Sequence, residues 1–366
     1  MTIGIGGAGS KIAAKLDKEA VLINVSEMEL NKVQGGSRRI VAPVLAEHGQ
    51  FKGSRKNREI GRDAYQAMRR DIQDRIKGEK VFCSTGGGTG NGIVSGILED
   101  LAKCGDVPVA DKTFFGIVLP YAKLETSEFV SNTIEFLTGP LTDAIDSGNT
   151  GNIILFSNKV KFEEEIAEDK YNQMLVDSLK SFLSVPDKSE RCKLLDGHID
   201  QEDFTLFLSK PYFNHFTCFK YDPKRNFGEQ LAANSNRLLL PPESAIEALF
   251  LLEVPKGGDP TCFYDIVKYF VSINVSPVYG VIENPEIASP VVTVSLLYSR
   301  KPAELVEDFN RISEEHVQAK VQKSLEQYVT LPRLEVSLED EAKKAVRARS
   351  DVKEDVLATL RRLGKL

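Results

Sequence analysis

Between a strand-like run at Lys80–Ser84 and a helical pattern at Gly92–Cys104 lies Gly86-Gly87-Gly88-Thr89-Gly90-Asn91-Gly92, five glycines in seven positions. Without Cβ atoms, backbone N–H groups can approach an anion closely. The helix that follows adds unsatisfied N–H groups and the positive end of its dipole, and Thr89 offers a hydroxyl. A flexible hinge would have no need of a strand on one side and a helix on the other. The segment therefore predicts a phosphate loop at the carboxyl end of a strand, where α/β sheets bind their ligands.

A second loop, Gly4-Ile5-Gly6-Gly7-Ala8-Gly9-Ser10, follows the short run Thr2–Ile5 and leads into a helix over Ser10–Leu16. Alone it satisfies the dinucleotide pattern G-x-G-x-x-G and leaves an NAD-dependent dehydrogenase open, with Glu27 in the ribose role. A dinucleotide fold has no use for the other glycine loop, and two such loops on neighbouring strands suit a nucleoside triphosphate better. Neither ends in G-K-[ST], which excludes the lysine-based P-loop design.

Apolar runs at Ala20–Val25, Phe114–Leu119 and Asn152–Phe156 read as buried parallel strands, Arg38–Val44 as a further strand, and Glu59–Lys77 as an amphipathic helix. Repeated strand–loop–helix units predict an α/β fold, a parallel sheet with helices on both faces. Phe162–Leu183 has one apolar stripe and reads as a long central helix closed by Pro186. Beyond residue 240 the glycine loops stop. Strand-like Ser244–Val254, Val278–Ile282 and Val291–Tyr298, with a helix near Phe263–Ile273, predict a smaller α+β domain. Pro302–Tyr328 reads as a long helix, and 337–363 as a charged segment with Val352, Val356, Leu360 and Leu363 on one face. The expected parts are a nucleotide-binding domain at 1–183, a connection at 184–240, a C-terminal domain at 241–330 and a charged tail at 331–366.

A net charge of −6 argues against nucleic-acid binding through global charge. No run approaches the roughly 20 apolar residues that span a bilayer, so no membrane partner is expected. The five cysteines, Cys83, Cys104, Cys192, Cys218 and Cys262, contain no C-x-x-C pair and read as buried thiols in a reducing cytoplasm.

Together the two loops resemble the tubulin/FtsZ superfamily, whose signature is G-G-G-T-G-[ST]-G; Asn91 stands where that family has a small residue. The resemblance implies a GTPase that binds GTP or GDP with Mg²⁺. Gly6, Gly7, Ala8, Gly9, Ser10 and Lys11 would hold phosphate together with the segment from Gly86 through Gly87, Gly88, Thr89, Gly90 and Asn91 to Gly92. Gly53–Arg62, with Asn57, is similar to the FtsZ loop that approaches the γ-phosphate, although alone it reads as a basic turn before an exposed helix. Pro120–Glu125 resembles the ribose loop, with Glu125 the hydroxyl partner. Asn24, Asn158 and Asn172 match asparagines around guanine, an assignment suited to the donor and acceptor of an amide. Leu195–Phe204 resembles the catalytic loop N-x-D-x-x-D, with His198 for the asparagine and Asp200 and Asp203 for the acids. As local sequence it is equally a solvated turn in which Asp203 caps a helix. The resemblance further implies head-to-tail self-assembly into filaments, with GTP hydrolysed between subunits. The tail, with eight Lys/Arg against four Asp/Glu in residues 341–366, looks more like the TubZ/PhuZ group of plasmids and phages. There the tail holds the next subunit or a DNA-carrying adaptor. An FtsZ-like division protein and a non-hydrolysing scaffold are the other readings.

Overall fold

In the computed structural model, which describes residues 1–45, 53–242, 244–299, 303–326, 357–358 and 361–362, the short apolar runs become strands buried on both faces. β1 (Thr2–Ile5) runs into α1 (Gly6–Leu16), and the unit repeats through β2 (Val21–Asn24), α2 (Glu27–Lys32), β3 (Arg38–Val41), α3 (Arg58–Ile76), β4 (Lys80–Ser84), α4 (Gly88–Lys103) and β5 (Phe114–Leu119). α5 (Ser127–Phe136) passes through a π-helical turn at Leu137–Leu141 into α6 (Thr142–Asp146) and β6 (Ile153–Ser157). Then come α7 (Lys159–Glu163), α8 (Glu168–Leu183), α9 (Val185–Arg191), β7 (Lys193–Gly197) and α10 (Gln201–Leu208). β8 (Phe213–Lys220), α11 (Phe227–Ala233), β9 (Glu247–Val254), α12 (Phe263–Ser272), β10 (Pro277–Glu283), β11 (Val291–Tyr298) and α13 (Ala303–Glu326) follow. Met1–Glu315 packs as one unit and His316–Leu366 as another. The face expected at Val352, Val356, Leu360 and Leu363 lies outside the described residues.

The strands form one sheet in the order β3-β2-β1-β4-β5-β6-β8-β11-β9-β10-β7. Neighbours from β3 to β8 are parallel, whereas β11 is antiparallel to both β8 and β9. β6 and β8 share one registered pair, Ile153 with Phe213. Past that point the edge of β6 is taken up by the 238–240 segment, through Ser157 N–H to Leu238 O and Leu240 N–H to Leu155 O. A buried polar chain reinforces the joint: Asn152 donates to the Phe207 and Lys210 carbonyls, Asn214 donates to Asn152, and Ser295 donates to Asn214.

Three apolar clusters follow from this arrangement. One lies under α8 and includes Leu175, Leu179 and Phe182 with Phe82, Ile154, Phe216, Leu251 and Leu297, so it spans both halves of the sheet. The second fills the other face of the parallel half beneath α3 and α4. The third lies between α11, α12 and the C-terminal strands.

Several local expectations change. α1 begins at Gly6 and α4 at Gly88, so the glycine segments are themselves first helical turns. The single helix expected over Phe162–Leu183 is two, α7 and α8. Glu165 between them adopts φ 51 and the Ile166 N–H returns to the Lys161 carbonyl, a left-handed helix end without glycine. Pro186 opens α9 rather than closing α8, because a first turn tolerates the missing N–H. Of the cysteines, Cys83 and Cys262 are buried, but Cys104 and Cys218 are exposed. Cys104 ends α4 as its C-cap, and Cys218 lies on β8, where burial alternates with exposure beyond Thr217.

Two polar centres hold elements in place. Buried Asp100 on α4 accepts from Arg69 Nε and Nη2 at 2.7 Å and from Gln73 Nε2 at 2.8 Å, and also from the Tyr65 hydroxyl, all on α3. Asp100→Ala leaves the buried Tyr65 hydroxyl without its acceptor while exposed Arg69 turns to water, and a loss of about 1–3 kcal/mol is expected in urea unfolding. His215 on β8 donates from Nδ1 to the Leu240 carbonyl and accepts at Nε2 from the Asn236 N–H. Burial lowers its pKa from 6.5 to about 4, against a smaller upward pull from that carbonyl. The ring is neutral in the fold, and the unfolded chain binds its proton first. The associated stability is thus complete above 6.5 and is lost as pH falls toward 4. We expect His215→Asn to remove about 3 kcal/mol of the acid sensitivity of urea unfolding across that window.

Candidate phosphate-binding cavity

A cavity of about 510 Å³ opens at the carboxyl end of the parallel strands. Gly7 and Ala8 from α1, Gly86 and Gly87 before α4, Glu125 and Thr126 after β5, Asn158 after β6, Phe162 from α7, and Tyr171 and Asn172 from α8 line it. α1 and α4 both start here, and neither has a side-chain cap. α2, α3, α10 and α11 are capped by Ser26, Asn57, Asp200 and Asn226. α5 to α9 and α12 also lack a side-chain cap; what sets α1 and α4 apart is that their first turns are the glycine segments beside the cavity, where an anion would meet their N–H groups.

The glycines divide by task. A Cβ on Gly87 would meet its nearest atom, Ser84 Oγ, at 3.8 Å, so this position opens to the cavity. On Gly9 a Cβ would lie 2.1 Å from the Phe82 carbonyl oxygen, and on Gly92 2.1 Å from that of Arg58. A Cβ on Gly88 would lie 2.4 Å from the Asn57 carbonyl oxygen, and one on Gly90 2.9 Å from that of Ser84. Gly6 adopts φ +73, and a Cβ there would lie 2.8 Å from Gly90 N, so the two glycine loops pack against each other. Most of these residues serve close packing of α1 and α4 on strands, on α3 and on each other.

The asparagines divide likewise. Asn158 donates to Glu125 Oε1 at 2.7 Å, and this pair lines the cavity with Asn172. Asn91 is fully buried; its amide donates to the Thr85 and Asn132 carbonyls at 2.7 Å and accepts from Ser95. It braces the glycine loop from within. Asn24 donates to Glu29 and accepts from the Ser26 N–H, and Glu29 Oε2 would lie 3.3 Å from a Cβ on Gly7. Asn57 caps α3. Ser10 donates to the Gly4 carbonyl, and buried Thr89 sits in the first turn of α4. Lys11 is paired at 2.7 Å with Glu168 on the cavity wall, and that bond holds the Glu168 carboxyl below its ordinary range.

Asp200 and Asp203 are not in this cavity. Asp200 caps α10, accepting from the Asp203 N–H at 2.7 Å, so the cap is Asp200 rather than Asp203. α10 lies at the other end of the sheet: Gln201, Phe204 and Thr205 share a cavity with Thr2 and Lys80, the amino ends of β1 and β4. A five-residue strand such as β4 spans about 16 Å, which keeps the acids from the glycine loops of the same chain.

Among the described residues there is no group of three His, Cys, Asp or Glu that would hold a metal ion. Of the cavity carboxylates, Glu125 is bonded to Asn158 and Glu168 to Lys11. This donor set does not fit a protein cage for the expected Mg²⁺, which keeps waters and phosphates as ligands.

Phe162, Tyr171, Phe129 and Lys161 line the cavity without having been predicted. Phe162 and Tyr171 sit in the apolar periodicity of one long helix. The break at Glu165 gives them separate elements, with Phe162 beside Tyr121 (ring centroids 6.2 Å apart) and the Tyr171 hydroxyl donating to the Ser157 carbonyl. Burial, with the nearby Glu125 charge, raises the pKa of Tyr171.

Gly92→Ala is expected to cost more than about 2 kcal/mol in thermal or urea unfolding, because backbone must move. Gly87→Ala is expected to change stability by less than about 0.5 kcal/mol.

No family model and no curated protein matches the chain. Solved structures do. TubZ of Bacillus thuringiensis serovar israelensis, in a GTPγS-form protofilament, superposes with a TM-score of 0.70 at 12% identity, covering 88% of this chain and 93% of that one. CetZ from Methanosaeta thermophila gives 0.63 at 19% identity, covering 97% and 98%. FtsZ from M. jannaschii gives 0.58 at 18%, covering 81% and 86%. With a parallel strand–loop–helix half, helix α8 at the joint and a mixed C-terminal half, the chain has the tubulin/FtsZ fold.

Proposed function

We propose that the cavity binds GTP and that copies of the chain stack head to tail into filaments, hydrolysing GTP between neighbours. The observation that carries this reading is the placement of Asp200 and Asp203 at the end of the sheet opposite the glycine loops. Stacking would set the acids of one copy over the phosphates of the next. The protofilaments crystallised for TubZ with GTPγS and for CetZ2 from Haloferax volcanii with GTPγS support it.

The first turns of α1 and α4 hold the phosphates, Glu125 takes the ribose hydroxyls, and Asn158 and Asn172 meet the guanine edge. Phosphoryl transfer asks for positioning and charge stabilisation. One oxygen of Asp200 is committed to the cap of α10; the other, with Asp203, orients the attacking water. A contact that repeats head to tail without closing gives a filament. GTP binding permits assembly, and hydrolysis weakens the contact.

The parts follow this division of labour: nucleotide binding in 1–183, the acidic loop in 184–240, the C-terminal domain in 241–330. The charged tail 331–366 holds the next copy or an adaptor carrying plasmid or phage DNA, which the filament positions in the cytoplasm. Removing 331–366 is expected to lower filament yield or adaptor capture while leaving GTP binding intact.

GTP turnover per molecule is expected to rise with protein concentration. Asp200→Asn, which keeps the cap, and Asp203→Ala should bind GTP, polymerise by light scattering and fail to disassemble. Turnover per molecule that is independent of concentration would refute hydrolysis between copies.

A further inference from the structure

We infer that Lys188 and Glu253 are positioning residues for hydrolysis, a buried ion pair that sets where the Asp200–Asp203 turn stands; this rests on the head-to-tail reading above. Glu253 interrupts an otherwise apolar strand. β9 runs Glu247-Ala-Leu-Phe-Leu-Leu-Glu-Val254, and its side chains alternate between the two faces of the sheet. Leu249 and Leu251 belong to the cluster under α8, and Glu253 continues their row at 2% exposure. A leucine would complete that row. Apolar side chains of similar volume commonly match or exceed the stability that a buried ion pair supplies. What the pair adds is a fixed geometry.

The carboxylate ties α9 and the end of β10 to β9. Its Oε1 accepts from Lys188 Nζ on α9 at 2.7 Å, and its Oε2 accepts at 2.7 Å from the amide of Asn284, the residue after β10. Asn284 is held in turn by its N–H, which donates to the Val254 carbonyl. Ser189, the next residue of α9, carries the restraint onward. Its hydroxyl accepts from the Ile199 N–H at 3.3 Å, and fully buried Ile199 immediately precedes Asp200. Lys188 thus fixes the helix to the sheet, and Ser189 fixes the acidic turn to the helix.

The strand that leads into the turn restrains it less. β7 is the edge of the sheet, none of its five residues is buried, and its register with β10 breaks between Val281 and Ile282. α9 is seven residues long and follows α8 after Ser184 alone, so the ion pair is what stops it pivoting against β9. A carboxylate that orients an attacking water tolerates little displacement, because a shift of about 1 Å can cost about a hundredfold in rate. Neither Lys188 nor Glu253 lines the glycine-loop cavity, so nucleotide binding is separable from their role.

The test compares the full chain with Lys188→Arg, Lys188→Met and the double variant Lys188→Met/Glu253→Gln. The double variant is a neutral pair of similar volume that still offers Asn284 an acceptor. Where Lys188→Met, which strands a buried carboxylate, does not fold by circular dichroism, the double variant carries the test. Calorimetry gives GTPγS affinity, light scattering gives the critical concentration with GTPγS, and phosphate release gives turnover per assembled copy. The double variant is expected to bind and assemble within about twofold of wild type, while turnover per assembled copy falls about tenfold or more at unchanged KM for GTP. Lys188→Arg, which keeps the charge, should retain most of the turnover. Amide exchange in the double variant should quicken across 197–204 and stay unchanged in the glycine loops. Unchanged turnover per assembled copy, or turnover lost in step with assembly and urea stability, overturns the positioning role and leaves the nucleotide reading standing. A wild-type chain that binds no GTP, or assembles without hydrolysing it, removes that reading and this role with it.

Discussion

The structure depends on how α8 is packed over a weak joint in the sheet. β6 and β8 meet at one registered pair, too little hydrogen bonding to fix two halves of a sheet. Tyr171, Leu175, Val176, Leu179 and Phe182 of α8 lie in a cluster that takes residues from both sides of that joint. Burying five such side chains contributes on the order of 10 kcal/mol, far more than one strand pair. The same helix carries Asn172 into the cavity and leads through α9 and β7 to Asp200 at the far end. One element therefore fixes the spacing between the glycine-loop end and the acidic end.

Close backbone contact is the second constraint. The glycine segments read as phosphate loops, and Gly86 and Gly87 do face the cavity. Yet Gly9, Gly88, Gly90 and Gly92 meet other backbone at distances no Cβ tolerates. Packing α1 and α4 this tightly is what aims their uncapped amino ends into one cavity. The glycines packed against backbone thus place the ones that face the cavity.

The second polar layer could not be read locally. Asn91 looks like a minor departure in a loop motif, but in three dimensions it is a brace whose partners, Thr85 and Asn132, come from the strand side and from α5. β8 went unrecognised because Phe213–Lys220 mixes aromatic with polar residues. Its buried Asn214 and His215 find their partners in Asn152, Ser295, Asn236 and Leu240, each distant along the chain. The break at Glu165 was hidden for a related reason: a left-handed residue usually announces itself as glycine.

By itself the sequence determined the alternation of strand, glycine loop and helix, hence the parallel half of the fold and the end of the sheet at which the glycine loops lie. These follow from local periodicity and from the absence of Cβ atoms, which neighbours along the chain are enough to express. Only the tertiary structure decided which of the named residues share the cavity and which brace it. It also placed Asp200 and Asp203 a strand's length from the glycine loops. Those outcomes depend on contacts between residues distant along the chain, set by the packing of α8 and by the register of the strands beneath it.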